Sequence, residues 1–154
     1  IKNKNKKILV NKLSRFWKKL GSKVVFMNER EHDEIFSVTS HLPHLVAYNL
    51  IKTAQDFQKM NKKNIIKYSA GGLRDFSRIA ASNEIMWRDV FFNNSRNMSK
   101  IIDLFIKNLN QFKIDINKQR NSLLLGKLKK SKKVRQQILL LKQDVSKPDF
   151  GREN

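Results

Sequence analysis

Apolar residues recur at helical spacing over most of this chain, and this periodicity restricts the fold more than any other feature of the sequence. The longest stripe, over residues 95–120, comprises Met98, Ile101, Ile102, Phe105, Leu109, Phe112 and Ile116. Side chains three or four positions apart share one face of an α-helix, whereas strand-like alternation nowhere persists for more than a few residues. The sequence therefore predicts an all-α domain.

The same spacing, together with capping residues, predicts the remaining helices. We expect helices over residues 6–20, 28–57, 73–81, 83–93, 95–120 and 121–142. Pro43 should kink the second helix, because proline lacks an N–H and clashes with the preceding turn. The polar residues 58–64 predict a loop, and Gly71-Gly72 predicts a break in regular structure that allows close approach to the backbone. Pro148 and Gly151 predict a loose tail over residues 144–154, after a single domain over residues 1–143.

The positive charge is concentrated at the two ends of the chain. Lys and Arg number 33 against 13 Asp and Glu, which gives a formal charge of +20 over 154 residues. Residues 1–23 hold nine basic residues and no acidic one, and residues 126–147 hold eight basic residues and one acidic one. Because the excess is mostly lysine, a strongly solvated point charge, we interpret it as solvated surface rather than a nucleic-acid footprint.

The apolar stripes are generous for a chain of this length. Burial of such stripes against a second copy of the chain, most often in a symmetric dimer, is one explanation. The alternative is that the helices of a single chain cover one another. No apolar run approaches the ~18–20 residues that a membrane-spanning helix requires, so no membrane partner is expected.

All three histidines lie within the segment HDEIFSVTSHLPH, residues 32–44. His41 and His44 are three positions apart, close to one face of a helix, and Ser40 lies beside them. Two histidines near acidic residues could hold a metal, but Pro43 separates them and no other His or Cys completes a ligand set. We therefore predict a polar pocket and no metal site.

A second polar cluster occupies the segment SAGGLRDFSRIAAS, residues 69–82. Arg74 and Arg78 are four positions apart on one helix face, and Asp75 is three positions from Arg78, close enough to pair with it. An arginine held by a carboxylate next to glycines is suited to bind a carboxylate ligand through two parallel hydrogen bonds. A surface ion pair following a loop is the alternative. Trp87, nine residues further on, is more typical of core packing.

Several common sites are excluded by the residues that the sequence lacks. It contains no cysteine, and its glycines at positions 21, 71, 72, 126 and 151 form neither G-x-G-x-x-G nor a P-loop. A cysteine nucleophile and a dinucleotide-binding fingerprint are therefore absent from these residues. The residues alone indicate a helical, dimeric domain with a His/Arg pocket for an anion.

Three sequence words resemble the prephenate/cyclohexadienyl (arogenate) dehydrogenase family of tyrosine biosynthesis. They are EHDEIFSVTSHLPHLVAYNL (31–50), IKYSAGGLRDFSRIAAS (66–82) and MWRDVFFNN (86–94). The resemblance extends over residues 10–120 and implies the helical dimerisation domain that follows a Rossmann domain in these enzymes. It implies NAD(P)-dependent oxidative decarboxylation of prephenate or arogenate by a cytoplasmic homodimer. NAD or NADP would be bound mainly by an N-terminal domain outside this chain, which opens with Ile1.

The resemblance also implies roles for individual residues. The catalytic histidine of the family would lie in the other domain, so no catalytic residue is assigned here. Arg78 would be the main cation for the substrate carboxylate, and Asp75 would orient or gate it. Gly71 would give access to the backbone. His44 would line the pocket, with Trp87 extending towards the neighbouring subunit's site, and Ser40 and His41 would support the pocket. A basic nucleic-acid-binding module, or a purely dimerising one, is the alternative function.

Overall fold

The computed structural model describes residues 4–144, with side chains from residue 7 onwards, and over these residues it is helical without strands. Seven α-helices are present: α1 (Lys4–Lys19), α2 (Glu29–Phe36), α3 (Leu42–Asn61), α4 (Gly71–Ala80), α5 (Glu84–Asn93), α6 (Ser95–Asn117) and α7 (Asn121–Leu140). A π-helix (Ser37–His41) joins α2 to α3, and a short 3₁₀ turn (Ile66–Tyr68) precedes α4. The predicted all-α class is confirmed.

The predicted helix ends follow from local chemistry at three residues. Gly21, after α1, has φ +84°, a left-handed conformation that glycine adopts without steric cost. Asn28 Oδ1 accepts a hydrogen bond from the Glu31 N–H at 2.8 Å, and Asn83 Oδ1 accepts one from the Met86 N–H at 2.8 Å. Both asparagines thereby satisfy backbone donors that the first turn of a helix leaves unpaired.

The interruption predicted at Pro43 takes the form of a π-helix rather than a simple kink. Residues Ser37–His41 form the wider turn, and Pro43 lies in the first turn of α3, where a missing N–H costs little. Ser37 is buried and its Oγ donates to the Glu34 carbonyl at 2.7 Å. The wider turn places His41 at its end, immediately before α3.

Two predicted loop features are wrong. Helix α3 continues to Asn61, through the first part of the segment predicted as a loop, and ends at Lys62 with φ 49°. Gly71 and Gly72 are the first residues of α4 and do not break the helix; a Cβ added at Gly72 would meet nothing within 4 Å. Glycine is tolerated in a first helical turn, where backbone N–H groups lack partners in any case.

The chain divides into two units, residues 1–33 and 34–154. In the second unit, α3 packs against α4, the π-helix and α6, while α6 also packs against α5 and α7. Among its described residues, the buried apolar side chains are Ala47, Trp87 and Met98. This is a small core, and α6 and α7 leave many large apolar side chains exposed. The domain boundary predicted at residue 143 stays a prediction, and Pro148 and Gly151 lie outside the described residues.

The turn between α6 and α7 contains a buried charge. Asp115 is 2% exposed and accepts a hydrogen bond from Lys127 Nζ at 2.7 Å, with Arg120 Nη1 at 3.8 Å. Lys127 Nζ also lies 5.2 Å from the centre of the Phe112 ring. Since a buried carboxylate is costly unless it is paired, Asp115 joins the end of α6 to the first turns of α7.

Candidate functional site

The centre of the candidate site is an aromatic stack between α3 and α5. The imidazole of His44 lies against the indole of Trp87, with ring centroids 3.7 Å apart and an interplanar angle of 22°. Phe91, one turn further along α5, lies 5.6 Å from Trp87, and the indole is only 7% exposed. Such stacking restricts the rotation of both rings, so His44 is held by packing as well as by hydrogen bonding.

The hydrogen bond of His44 determines which ring nitrogen can face a ligand. His44 Nδ1 lies 3.0 Å from the backbone carbonyl oxygen of Ser40. A carbonyl oxygen only accepts, so Nδ1 has the proton and donates it. The ring nitrogen that remains for a ligand is Nε2, which accepts in the neutral ring and donates in the protonated ring. Ser40 thus supports the pocket through its backbone rather than through its hydroxyl.

His41 lies on the other side of Trp87, with ring centroids 6.1 Å apart and an interplanar angle of 77°. Its Nδ1 is 3.2 Å from Asn94 Nδ2, a contact between residues 53 positions apart in sequence. The two histidines therefore contact Trp87 differently, His44 by stacking and His41 edge-on. Within residues 4–144, no cluster of three His, Cys, Asp or Glu residues has the arrangement of a metal site.

The indole N–H of Trp87 is a buried donor. Its Nε1 is shielded from solvent, and no acceptor for it is found in the described part of the chain. Burying a donor without a partner costs ~1–3 kcal/mol, and such groups are rare in folded proteins. A ligand or a second subunit that supplied an oxygen acceptor at this position would recover that free energy.

Helix α4 supplies the predicted cation. Arg78 lies in the last turn of α4 and is exposed, Asp75 is half-buried, and the backbone of Gly71 begins the helix. Tyr48, one turn after His44 on α3, donates from its hydroxyl to the Ser82 carbonyl at 2.9 Å. This bond holds the C-terminal end of α4 against the helix that contains His44.

The structure brings some of the predicted site residues into contact and leaves others apart. His41, His44, Ser40 and Trp87 form one cluster. No ion pair joins Asp75 to Arg78 in the described region, although their spacing allows one. An exposed arginine without a carboxylate partner leaves its fork of donors available to a ligand.

Sequence reasoning missed Asn94 as a member of this cluster. It is 6% exposed and contacts His41 and Asn97, but makes no side-chain cap for α6. Its position between two helical patterns indicated a capping residue, and a long-range contact leaves no signal in local periodicity. The available signal was its place at the end of the MWRDVFFNN word.

Comparison with known proteins identifies the class to which this fold and cluster belong. The family profile described as "Prephenate dehydrogenase, dimerization domain" matches residues 28–130. The described part of the chain includes no helix long and apolar enough to cross a membrane. The molecule is thus a helical dimerisation domain of an oxidoreductase, and the chain belongs to the prephenate dehydrogenase family.

Individual relatives agree with this assignment. The cyclohexadienyl dehydrogenase of Zymomonas mobilis is 36% identical over 129 residues, which are 84% of this chain and 43% of that protein. The prephenate dehydrogenase of Bacillus subtilis is 39% identical over 103 residues, 66% of this chain and 26% of that protein. The chain therefore spans less than half the length of these curated relatives.

A solved structure has the same fold. Prephenate dehydrogenase from A. aeolicus, in complex with hydroxyphenyl propionate and NAD+, superposes with a TM-score of 0.79 at 39% identity. The match covers 86% of this chain and 46% of that one. The predicted fold and family are confirmed, and a nucleic-acid-binding module is not favoured.

Proposed function

We propose that this chain is the dimerisation and substrate-binding part of a prephenate dehydrogenase. The natural protein would oxidise prephenate to 4-hydroxyphenylpyruvate, or arogenate to tyrosine. A hydride leaves ring C4 for NAD(P)+, the C4 hydroxyl becomes a carbonyl as it loses its proton, and the ring carboxylate departs as CO2. The electrons of the broken C–C bond aromatise the ring, and the new phenol oxygen takes up one proton.

The residues of this chain do not fit the cofactor. They lack the glycine-rich fingerprint, and the described region lacks the strand–turn–helix unit that places a pyrophosphate at a helix N-terminus. We propose that NAD or NADP is bound by a nucleotide-binding domain outside these 154 residues, which also supplies the catalytic histidine. The whole protein would act in the cytoplasm.

The contribution of this chain is recognition of the substrate's anionic and ring groups. The guanidinium of Arg78 would bind a substrate carboxylate through two charge-assisted hydrogen bonds, and Asp75 would orient or gate the arginine. The backbone at Gly71 would be open to the ligand. His44 would present Nε2 to the pocket, and the unpaired indole N–H of Trp87 supports a role as donor to an oxygen, at the neighbouring subunit's site.

We further propose that the chain forms a homodimer through its helices. The observation that supports this most strongly is the imbalance between a small buried core and the large apolar side chains left exposed on α6 and α7. These are Leu104, Ile106, Leu109, Ile114 and Ile116 on α6, and Leu123, Leu125, Leu128, Val134 and Leu140 on α7. Contiguous exposed apolar surface of this kind marks an interface.

The experiment that tests the activity uses the natural protein in which this sequence occurs. Prephenate and NAD+ are added, and NADH, CO2 and 4-hydroxyphenylpyruvate are measured together. We expect equal amounts of all three, and arogenate assayed in parallel defines the substrate preference. A protein that dimerises but forms none of these products with either substrate or either cofactor would be a purely dimerising module, and the proposal would be wrong.

A further inference from the structure

Asn94 occupies the junction between α5 and α6, yet its side chain does not serve that junction. The backbone there is nearly continuous, since the Asn94 N–H donates to the Val90 carbonyl at 3.1 Å and the Met98 N–H donates to the Asn94 carbonyl at 2.9 Å. The carboxamide is buried and makes no cap bond to α6. A buried carboxamide that serves neither helix end needs another explanation.

The hydrogen bonds of Asn94 fix the direction of its amide. Asn97 Nδ2 donates to Asn94 Oδ1 at 2.8 Å, so the carbonyl oxygen of the carboxamide points along α6. The Nδ2 group therefore points at His41 Nδ1, 3.2 Å away. An amide nitrogen has no lone pair to offer, so this contact is a hydrogen bond only when His41 Nδ1 accepts and its proton is on Nε2.

A continuous set of contacts leads from Asn94 to the candidate ligand-binding nitrogen. Asn94 holds the ring of His41, whose ring lies edge-on to the indole of Trp87. The opposite contact of Trp87 is the flat stack with His44. Rotation of the His41 ring would remove the edge contact that helps to fix the indole plane, and the His44 imidazole follows that plane.

We propose that Asn94 is a positioning residue of the substrate site: its carboxamide fixes the Nε2–H tautomer and the orientation of His41, and thereby the Trp87–His44 stack. This inference rests on the proposed function, because the stack matters to the reaction only if it contacts the substrate. Asn94 itself would touch neither substrate nor cofactor.

The test uses Asn94→Asp, which replaces the donor –NH2 by an acceptor oxygen and retains the oxygen that accepts from Asn97. A carboxylate at the start of α6 is compatible with the helix dipole, so we expect the variant to fold. His41 must then donate from Nδ1 to the carboxylate. The matched control is Asn93→Asp, the same change at the adjacent exposed residue, whose side chain donates to the Asp89 carbonyl.

The first measurement is the tautomer of His41, from histidine side-chain nitrogen NMR spectra of the 154-residue chain at neutral pH. We expect an unprotonated Nδ1 in the unsubstituted chain and in Asn93→Asp, and a protonated Nδ1 in Asn94→Asp. A protonated Nδ1 with the proton absent from Nε2 in the unsubstituted chain would overturn the proposal without any variant. So would a His41 tautomer that Asn94→Asp leaves unchanged, or that Asn93→Asp changes equally.

The second measurement is steady-state kinetics of the natural protein. Misplacement of a binding group by about 1 Å costs up to ~100-fold, so we expect Asn94→Asp to raise KM for prephenate by ~10–100-fold. We expect kcat to change far less, and Asn93→Asp to alter neither. A switched tautomer with unchanged KM would refute the positioning role. A natural protein that never oxidises prephenate would refute the proposed function, while the tautomer result would still stand.

Discussion

The imidazole of His44 lies 3.7 Å from the indole of Trp87, centroid to centroid, and its Nδ1 donates to the Ser40 carbonyl. One contact fixes the plane of the ring and the other fixes its tautomer. Together they leave Nε2 as the nitrogen that a ligand can contact. A histidine with so few remaining degrees of freedom suits a binding role, because little side-chain entropy is lost when a ligand binds.

The buried indole N–H predicts different stabilities for two substitutions of Trp87. Trp87→Ala removes a large buried ring and should lower the free energy of unfolding by ~3–5 kcal/mol. Trp87→Phe keeps an aromatic plane for His44 and removes a donor whose burial costs ~1–3 kcal/mol, so we expect it to stay within about 1 kcal/mol of the unsubstituted chain. Urea denaturation without ligand measures both. Trp17→Ala, at a 47% exposed tryptophan, is the control. Equal losses for the two Trp87 variants would contradict this account.

The charge cluster at the α6–α7 turn predicts a stability effect remote from the site. Asp115→Ala leaves Lys127 and Arg120 without their carboxylate. Since these side chains are 34% and 42% exposed and can reach water, we expect a loss of about 2–3 kcal/mol, less than for a fully buried pair. Asp103→Ala, at an exposed position of the same helix, should change the free energy of unfolding by less than about 0.5 kcal/mol. A similar loss in both variants would show that the pairing of Asp115 is not the cause.

The exposed apolar surface predicts self-association without activity. Sedimentation equilibrium of the 154-residue chain should give twice the 18.2 kDa mass of one copy at micromolar concentration. The same preparation should form no NADH from prephenate and NAD+, because it lacks a dinucleotide site. A monomer would contradict the dimer proposal, and turnover by this chain alone would contradict the division of the reaction between two domains.

The helices could be predicted from the sequence because their determinants are local. Apolar spacing along residues 95–120 predicted α6, and Asn28 and Asn83 cap the helices they were expected to begin. The π-helix could not be predicted in the same way, since Pro43 reveals an interruption but not how the backbone accommodates it. The loop predicted over residues 58–64 failed because polar residues also suit the exposed end of a helix.

The site was predictable in part. The family words identified His44 and Trp87, but not that their rings stack, because stacking depends on how α3 and α5 pack. Asn94 was missed for the same reason: its partner, His41, lies 53 positions away. Spacing alone allowed a pair between Asp75 and Arg78 that the folded chain does not form. The roles assigned to both residues stay predictions.

The measurement that tests the central claim most directly is KM for prephenate in the natural protein with Arg78→Ala. Loss of a charge-assisted bidentate contact costs ~2–4 kcal/mol, so KM should rise by roughly 30- to 1000-fold. Arg74→Ala removes the same charge one turn earlier on α4, from another exposed position, and should leave KM within about threefold. An unchanged KM in Arg78→Ala, or equal increases in the two variants, would contradict the assignment of Arg78 as the carboxylate-binding residue.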